Sequence, residues 1–193
     1  MAVNLTRIYT RTGDAGETRL GDNSTTSKTD PRLAAYGEVD EANSAIGVAI
    51  AAGHLNSAIV VLLTRIQNDL FDVGADLCNP ITPDPEYPPL RITQEYVDRL
   101  EGWCDEYNNR LTKLRSFILP GGTEGAAYLN VARTVVRRAE RAGWVAVEAH
   151  GPSVNLLAIT YLNRLSDLLF ILGRVANLSS GGDVLWVPGG ERD

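Results

Sequence analysis

The segment from Arg7 to Arg19 concentrates groups that bind polyanions. It carries three arginines, three threonines and two glycines within thirteen residues. Gly13 and Gly16 permit positive φ and close approach of the backbone to a ligand, and the N–H groups of such a turn can hold phosphate oxygens. Guanidinium groups add permanently charged, bidentate donors. The segment indicates a phosphate-binding loop without a Walker A pattern, while an ordinary glycine turn between two extended pieces fits the same residues.

A second set of polar groups recurs at helical spacing. At 100° per residue its members fall within an arc of about 140° on one helix. They are Asn130, Arg133, Arg137, Glu140, Arg141 and Trp144. Three arginines on one stripe, directly after a Pro-Gly-Gly turn, predict an anion-binding face. A solvated face with surface ion pairs remains open as the structural alternative.

Two shorter patterns are also candidates for chemistry. Asn163 and Asp167 are spaced i, i+4 and could orient a ribose, a metal-bound water or a neighbouring arginine, or could simply form an interhelix hydrogen-bond pair. Asp40 shares a helix face with Asn43, Ser44 and Gly47. That face is either an exposed acidic stripe or a subunit interface in which Asp40 holds an arginine.

Composition excludes several classes of function. The 193 residues carry a net charge of −6 and a pI near 5.0, which argues against general binding to nucleic acid or to an acidic membrane surface. The two cysteines and two histidines have no zinc-ligand spacing. No signal sequence or sufficiently long apolar run is seen, so we expect a cytoplasmic protein.

Five helices are predicted to position these groups. Proline and glycine breaks and N-cap signals divide the chain, and no stretch between residues 31 and 178 alternates at period two. The helices are expected at about 31–53, 57–77, 93–114, 123–148 and 153–178. Short connections then predict an all-α, antiparallel five-helix bundle. It forms a single domain over residues 1–193, with an irregular N-terminal segment (1–29) and an irregular C-terminal tail (179–193).

Four segments resemble those of the PduO-type ATP:cob(I)alamin adenosyltransferases and occur in that family's order. They read Y-T-R-T-G-D-A-G at 9–16, F-I-L-P-G-G at 117–122, A-R-T-V-V-R-R-A-E-R at 132–141 and Y-L-N-R-L-S-D at 161–167. The resemblance implies a homotrimer of five-helix bundles. It also implies a reaction in which cob(I)alamin attacks the 5′ carbon of ATP, giving adenosylcobalamin and triphosphate, with Mg²⁺ accompanying ATP. A cobalamin reductase and an adenosylcobalamin-dependent enzyme are the partners that such a reaction implies.

The resemblance also assigns roles to individual residues. The ATP-binding set is Thr10, Arg11, Thr12, Gly13, Asp14, Gly16, Thr18, Arg19, Lys28, Arg137, Arg138, Glu140, Arg141 and Asn163. The catalytic set is Arg133, Arg137, Glu140 and Phe117. Asp40 is expected to pair with Arg133 of the next subunit, and Arg164 and Asp167 to support the site. No protein side chain is expected to ligate the metal directly.

Phe117 has the most specific implied role, which is contact with the lower face of the corrin. An apolar side chain there would expel the lower axial ligand and make the cobalt easier to reduce. From the residues alone, a core aromatic after the third helix is the alternative.

One position departs from the family pattern. Many members have lysine where this chain has Ala15. Either one phosphate cation is lost or Arg11 or Arg19 supplies it.

Two other functions remain open at this stage. One is a carrier that binds adenosylcobalamin without turnover, and the other is a nucleotide-binding helical oligomer acting as a scaffold or triphosphatase. The presence of Arg133, Arg137, Glu140 and Asn163 together favours turnover.

Overall fold

Five α-helices make up most of the structure, a computed structural model that describes residues 9, 11–85 and 88–191. The helices are α1 (Pro31–Ala52), α2 (Ser57–Cys78), α3 (Gln94–Asn108), α4 (Glu124–His150) and α5 (Leu156–Asn177). The predicted all-α bundle is therefore confirmed. Four helices begin at a residue whose side chain accepts a backbone N–H, which satisfies a donor that the first turn leaves unpaired. These N-caps are Asp30, Asn56, Thr123 and Asn155.

The helices alternate in direction along the chain. Gly53, after α1, lies against Gly125 at the start of α4, and Asp30, before α1, contacts His150 at the end of α4. α1 packs against α2 and α4, α4 against α5, and α3 against α5. The apolar faces of all five helices meet in one core of buried aliphatic side chains together with Tyr161. The short connections are what force successive helices to run antiparallel.

Two predicted helix boundaries were wrong. The third helix was expected to reach residue 114 but ends at Asn108, where Asn108 and Asn109 have low helix propensity. The fifth was expected from residue 153 but begins at Leu156, because Gly151–Ser153 forms a single 3₁₀ turn. Gly151 has φ +56°, a conformation that ends α4 and that glycine adopts without strain.

The N-terminal segment contains a small hairpin that periodicity did not reveal. Strand β1 (Glu17–Arg19) pairs antiparallel with β2 (Thr25–Ser27), and Thr18 lies opposite Thr26. Three residues per strand are too few for alternation to stand out in the sequence. The turn between the strands does have a local signal in the sequence. Asn23 has φ +66°, and asparagine tolerates this left-handed backbone conformation better than most residues.

α5 is apolar enough to attract attention as a membrane segment. The segment Leu156–Ser180 is long enough and apolar enough to cross a membrane, but 56% of an 18-residue apolar stretch within it is buried inside the bundle. The helix lies between α3 and α4. Its apolar composition is therefore accounted for by its place in the core.

A buried carboxylate ties three segments together at one end of the bundle. Asp76, on α2, is 1% exposed. It accepts hydrogen bonds from Arg91 at 2.7 Å, from the amide of Ile92 at 2.7 Å and from the Asn155 amide at 2.6 Å. The long α2–α3 connection and the start of α5 are fixed to α2 through this one group.

We expect Asp76→Asn to lower the free energy of unfolding by about 3 kcal/mol, because the variant leaves the Arg91 cation without its buried partner. Urea denaturation at fixed protein concentration measures the change. Asp98→Asn, at an exposed position on α3, is the matched control and should change stability by less than about 0.5 kcal/mol. Equal effects of the two substitutions would contradict the role given to Asp76.

Candidate functional site

The N-terminal loop folds back on itself and brings Lys28 to its glycines. The amide of Gly16 donates to the carbonyl of Gly13 at 3.3 Å, and the amide of Lys28 donates to the carbonyl of Gly16 at 2.8 Å. A Cβ at Gly13 would lie 2.9 Å from the Lys28 ammonium nitrogen and 3.3 Å from the Glu17 carbonyl oxygen. Only glycine at position 13 therefore lets the lysine approach so closely.

A polar cavity of about 510 Å³ opens beside this loop. Its lining residues are Thr12, Gly13, Glu17, Thr18, Arg19 and Thr25. Hydroxyl groups, a glycine backbone and a guanidinium are suitable donors for an anion. Four predicted residues line this cavity, namely Thr12, Gly13, Thr18 and Arg19. Two more, Gly16 and Lys28, lie at the same turn.

The remaining predicted loop residues differ in their placement. Arg11 has φ +65°, and its guanidinium lies 5.6 Å from the centre of the Tyr9 ring. Asp14 is exposed, and its amide donates to the Arg11 carbonyl at 3.5 Å. Thr10 lies outside the described residues. Arg19, and not Arg11, is the arginine at the cavity.

The hairpin is fixed to the bundle through Asp30. One oxygen of that carboxylate accepts from the Thr26 hydroxyl at 2.7 Å, and the other accepts from the Arg32 amide at 2.8 Å and contacts His150 at 2.7 Å. At the opposite side the amide of Gly21 donates to the Cys78 carbonyl at 3.0 Å. The loop is therefore held where α1 begins and α2 and α4 end.

The predicted polar stripe lies on α4 and is called the α4 stripe below; it comprises Asn130, Arg133, Arg137, Glu140, Arg141 and Trp144. Its three guanidinium groups have no carboxylate partner among the described residues. Asn130 is buried, and its side-chain oxygen accepts from Arg133 at 3.2 Å. Burial lowers the pKa of the Arg133 guanidinium, and the positive charge of Arg137 lowers it further. Among the described residues, no ion pair involves Arg133, Arg137 or Arg141. In a chain with a net charge of −6, uncompensated charge on this stripe favours an external anion.

Arg138 contrasts with its neighbours on the stripe. It bonds to Glu38 of α1 at 2.6 Å and also pairs with Glu41. The hydrogen bonds that its guanidinium donates to the two carboxylates raise its pKa. This predicted ATP contact is already occupied within the chain, beside the stripe and against α1.

Glu140 is held by a chain of polar side chains that crosses three helices. The Asn163 amide donates to Glu140 at 3.0 Å, and Arg164 donates to the Asn163 oxygen at 2.7 Å and to Glu101 of α3 at 2.7 Å. The bond to Glu101 raises the pKa of Arg164. These hydrogen bonds fix which way the Asn163 amide points, and they leave the second Glu140 oxygen available. Glu101 is a positioning residue that sequence reasoning missed.

Asp167 and Asp40 both lie at exposed positions. Burial raises the pKa of the Cys104 thiol on α3 to about 11, and the charge of Asp167 adds to the effect, so the Asp167 carboxylate lies near that thiol. The Asp40 carboxylate forms no hydrogen bond or ion pair with any described residue, although its carbonyl accepts from the Ser44 hydroxyl. Asp40 is therefore available to a partner outside the chain.

Phe117 is strongly exposed, with 78% of its surface accessible. Its ring meets Trp186 edge to face at 6.0 Å between centroids. Ile118 forms a β-bridge with Leu185, and the Trp186 amide donates to the Phe117 carbonyl at 2.9 Å. The alternative of a core aromatic is thus excluded. The tail contribution was missed because its pairing is non-local.

The loop cavity and the α4 stripe have no lining residue in common. No hydrogen bond or ion pair joins them among the residues that the structure describes. Within the same residues, no group of three or more His, Cys, Asp or Glu could hold a metal ion. A cavity of about 610 Å³ lies near His54 and Glu124 at the other end of α1. It contains none of the predicted site residues, so we place the site at the loop and the stripe.

We expect the docking of the hairpin to be lost at low pH. Burial would raise the pKa of Asp30, but hydrogen bonds from Thr26 and the Arg32 amide, together with His150, outweigh it and hold the pKa below 3.8. The folded pKa is lower than the unfolded one, so the contribution to stability is complete above about pH 4 and disappears as the pH falls through the folded value.

Hydrogen exchange of the β1 and β2 amides against pH measures this effect. Asp30→Asn should raise their exchange already at neutral pH and remove the pH-dependent step. Asp105→Asn, at an exposed position on α3, should leave the step unchanged. A step that persists in Asp30→Asn would assign it to another group.

Comparison with known proteins identifies the family of this chain. The family model for cobalamin adenosyltransferase matches residues 8–176. The chain is 64% identical to a corrinoid adenosyltransferase of Mycobacterium bovis, covering 100% of this chain and 98% of that protein. It is 42% identical to a corrinoid adenosyltransferase of Bacillus subtilis, with 92% and 91% covered.

A solved structure is similar throughout. It is a phenylalanine-to-alanine variant of a PduO-type ATP:corrinoid adenosyltransferase from Lactobacillus reuteri, complexed with cobalamin and ATP. The TM-score is 0.84 at 38% identity, with 94% of this chain and 100% of that chain covered. With the matched segment spanning loop, stripe and Phe117, the chain belongs to the cobalamin adenosyltransferase family.

Proposed function

We propose that this chain transfers the 5′-deoxyadenosyl group of ATP to the cobalt of cob(I)alamin, forming adenosylcobalamin and releasing triphosphate. The observation that carries the proposal is the α4 stripe, where Arg133, Arg137 and Arg141 have no carboxylate partner among the described residues. In the reaction the cobalt electron pair forms the bond to C5′, and the C5′–O bond breaks with its electrons passing to the triphosphate. The leaving group gains negative charge, and preorganised cations stabilise it.

The N-terminal loop supplies the phosphate cradle in this proposal. Thr12, Thr18 and the backbone at Gly13 and Gly16 donate hydrogen bonds, and Lys28 supplies charge at the glycine turn. Arg19 lines the same cavity and takes the place of the lysine that many relatives have at the position of Ala15. Thr10, Arg11 and Asp14 remain predicted contacts at the edge of the loop.

The α4 stripe binds the leaving group. Arg137 contacts the triphosphate near the breaking bond, and Arg141 continues the charge toward the loop. Arg138 would have to leave Glu38 and Glu41 to reach a phosphate, so we give it the role of bracing α4 against α1. Neighbouring guanidinium groups on α4 repel one another, and a bound anion reduces this repulsion.

Glu140 and Asn163 orient the nucleotide. The Glu140 oxygen that Asn163 does not use is available to a water on Mg²⁺ or to an arginine. Asn163 keeps one amide proton for the nucleoside, while Arg164 holds the amide in that orientation. Mg²⁺ prefers oxygen ligands and retains waters. It would be carried by the triphosphate, since the described residues offer no carboxylate cluster to hold it.

Phe117 lies against the lower face of the corrin. Its exposure leaves an apolar ring available at the surface, and a family relative has been solved in complex with cobalamin and ATP. A ring in that position excludes the lower axial ligand, which would otherwise donate electrons to cobalt and make its reduction harder. The constrained Pro120–Gly122 turn after it limits how far the ring can retreat.

The complete site is formed between subunits of a homotrimer. No stripe residue lines the loop cavity of the same chain, and the Asp40 carboxylate has no partner among the described residues. Asp40 would pair with Arg133 of the next subunit. Exposed Val48 on α1 and exposed Val131 and Val145 on α4 supply apolar surface for the same contact.

The proposed reaction also implies two partner enzymes and a reducing compartment. Cob(I)alamin must come from a reductase, and adenosylcobalamin must pass to an enzyme that uses it. Both cysteines are free thiols, which agrees with a reducing cytoplasm.

The direct test is an anaerobic absorbance assay with reduced cob(I)alamin, ATP and Mg²⁺. We expect protein-dependent adenosylcobalamin and equimolar triphosphate. Arg137→Ala should lower kcat by roughly 100- to 1000-fold, as removal of one transition-state donor does. Arg65→Ala, on the outer face of α2, is the control and should retain full activity. Binding of adenosylcobalamin without turnover would favour a carrier, and full activity of Arg137→Ala would contradict the assigned role.

Complementation tests the intersubunit site. Lys28→Ala (loop) and Arg137→Ala (stripe) subunits, separately impaired, are co-expressed with different tags and the mixed oligomers purified. If loop and stripe come from different subunits of a cyclic trimer, each purified mixed trimer has one intact site, so about one third of the wild-type sites are restored. Arg137→Ala mixed with Glu140→Ala, both on α4, should restore none. Mixed oligomers without recovered activity would place the site within one chain.

A further inference from the structure

We infer that Arg174, through its buried ion pair with Asp183, is a positioning residue for the corrinoid surface that includes Phe117. The inference rests on the proposed function, because it concerns how the same site is held. It assigns a role to two residues outside the motifs of the family resemblance. α5 holds both the loop before α4 and the C-terminal tail.

Arg174 joins two segments that are distant in sequence. The side chain is 6% exposed. Its Nε donates to Asp183 of the tail at 2.8 Å, and Nη2 donates to the carbonyl of Thr112 in the α3–α4 connection at 2.9 Å. Arginine suits this position because its planar group directs several donors in fixed directions. One guanidinium therefore fixes the beginning of both segments that meet at Phe117.

Asn177, one turn further along α5, holds the other end of the connection. Its side chain accepts from the Thr123 amide at 2.9 Å and donates to the Gly121 carbonyl at 3.0 Å. Its own carbonyl accepts from the Gly182 amide at 2.9 Å. The loop bearing Phe117 is thus attached to α5 at both ends, and the tail begins from the same two α5 residues.

Between these attachments the tail and the loop pair with each other. Leu119 donates its amide to the Val184 carbonyl at 2.8 Å, and Trp186 donates to the Phe117 carbonyl at 2.9 Å. The Ser116 hydroxyl reaches the Trp186 carbonyl at 3.2 Å. The two aromatic rings then meet edge to face. The exposed Phe117 ring is consequently oriented by the tail and not by packing in the core.

The ion pair controls whether the tail stays in place. One Asp183 oxygen is buried and has no hydrogen-bond partner among the described residues, so the carboxylate depends on Arg174 for its compensation. A buried charge that loses its partner is strongly unfavourable. For a terminal segment the easiest relief is local release into water, not unfolding of the bundle. The pair therefore acts on the orientation of Phe117 and leaves the helices intact.

Rigid placement is what the proposed role of Phe117 requires. The ring must exclude a ligand from cobalt while most of its own surface is exposed. An exposed aromatic on a free loop would turn toward other apolar surface and lose that position. Support from a second layer of contacts is how sites hold such groups.

The test uses the full-length protein and the variant Asp183→Asn. Hydrogen exchange of the Leu119 and Trp186 amides reports whether the tail stays paired with the Phe117 loop, an arrangement that we call the clasp. Absorbance and electron paramagnetic resonance of cob(II)alamin with ATP report loss of the lower ligand. We expect faster exchange, a smaller fraction of cob(II)alamin without its lower ligand, and a KM for cob(I)alamin raised about tenfold, with the KM for ATP within about twofold. Glu106→Gln removes an exposed ion pair between α3 and Arg110, which follows that helix, and should change none of these.

A second variant separates the two arms of Arg174. Arg174→Lys keeps a cation near Asp183 but cannot also reach the Thr112 carbonyl, so its effects should be intermediate. Unchanged exchange in Asp183→Asn would overturn the clasp. Faster exchange with an unchanged cob(II)alamin spectrum and unchanged KM would overturn the positioning role. If the wild-type protein does not adenosylate cobalamin, the proposed function fails, whereas the exchange measurement still decides the clasp.

Discussion

The close packing of α1 against α4 is the interaction on which the site depends. Small residues line the buried faces of both helices, among them Ala42 and Ala49 on α1 and Ala132 and Ala139 on α4. At one end, Gly53 and Gly125 approach so closely that neither has room for a Cβ. Interhelix distance is set by the side chains at the contact. With one face of α4 committed to α1 and another to α5, the arginine stripe has only the outer surface left.

Charge compensation separates the arginines that hold the fold from those that serve the site. Arg91, Arg99, Arg138, Arg164 and Arg174 each have a carboxylate partner in the structure. Burial and the charge of Arg137 lower the pKa of Arg133, and neither arginine has such a partner among the described residues. In the proposed function, the triphosphate of the substrate supplies the missing negative charge. The same logic explains an acidic protein with a cationic site.

Polar contacts between distant segments complete the arrangement. Asp30 fixes the hairpin to two helix ends, Asp76 fixes the α2–α3 connection, and Arg174 fixes the loop and the tail. In each case a charged side chain satisfies backbone groups that irregular segments leave unpaired. The helices thus provide rigidity, and these few contacts place loops that have little apolar surface of their own. Function is concentrated where such loops meet helix faces.

The sequence by itself determined the five helices, most of their ends and the identity of the stripe, because helical period, capping residues and proline breaks are local properties. It also placed Phe117, Arg137 and Asn163 in the family pattern. Only the tertiary structure decided that Arg138 is occupied by α1, that Glu101 supports Arg164, and that Trp186 lies against Phe117. Those contacts join residues separated by 63 or more positions. Their partners are chosen by packing and charge compensation in three dimensions, which no local pattern encodes.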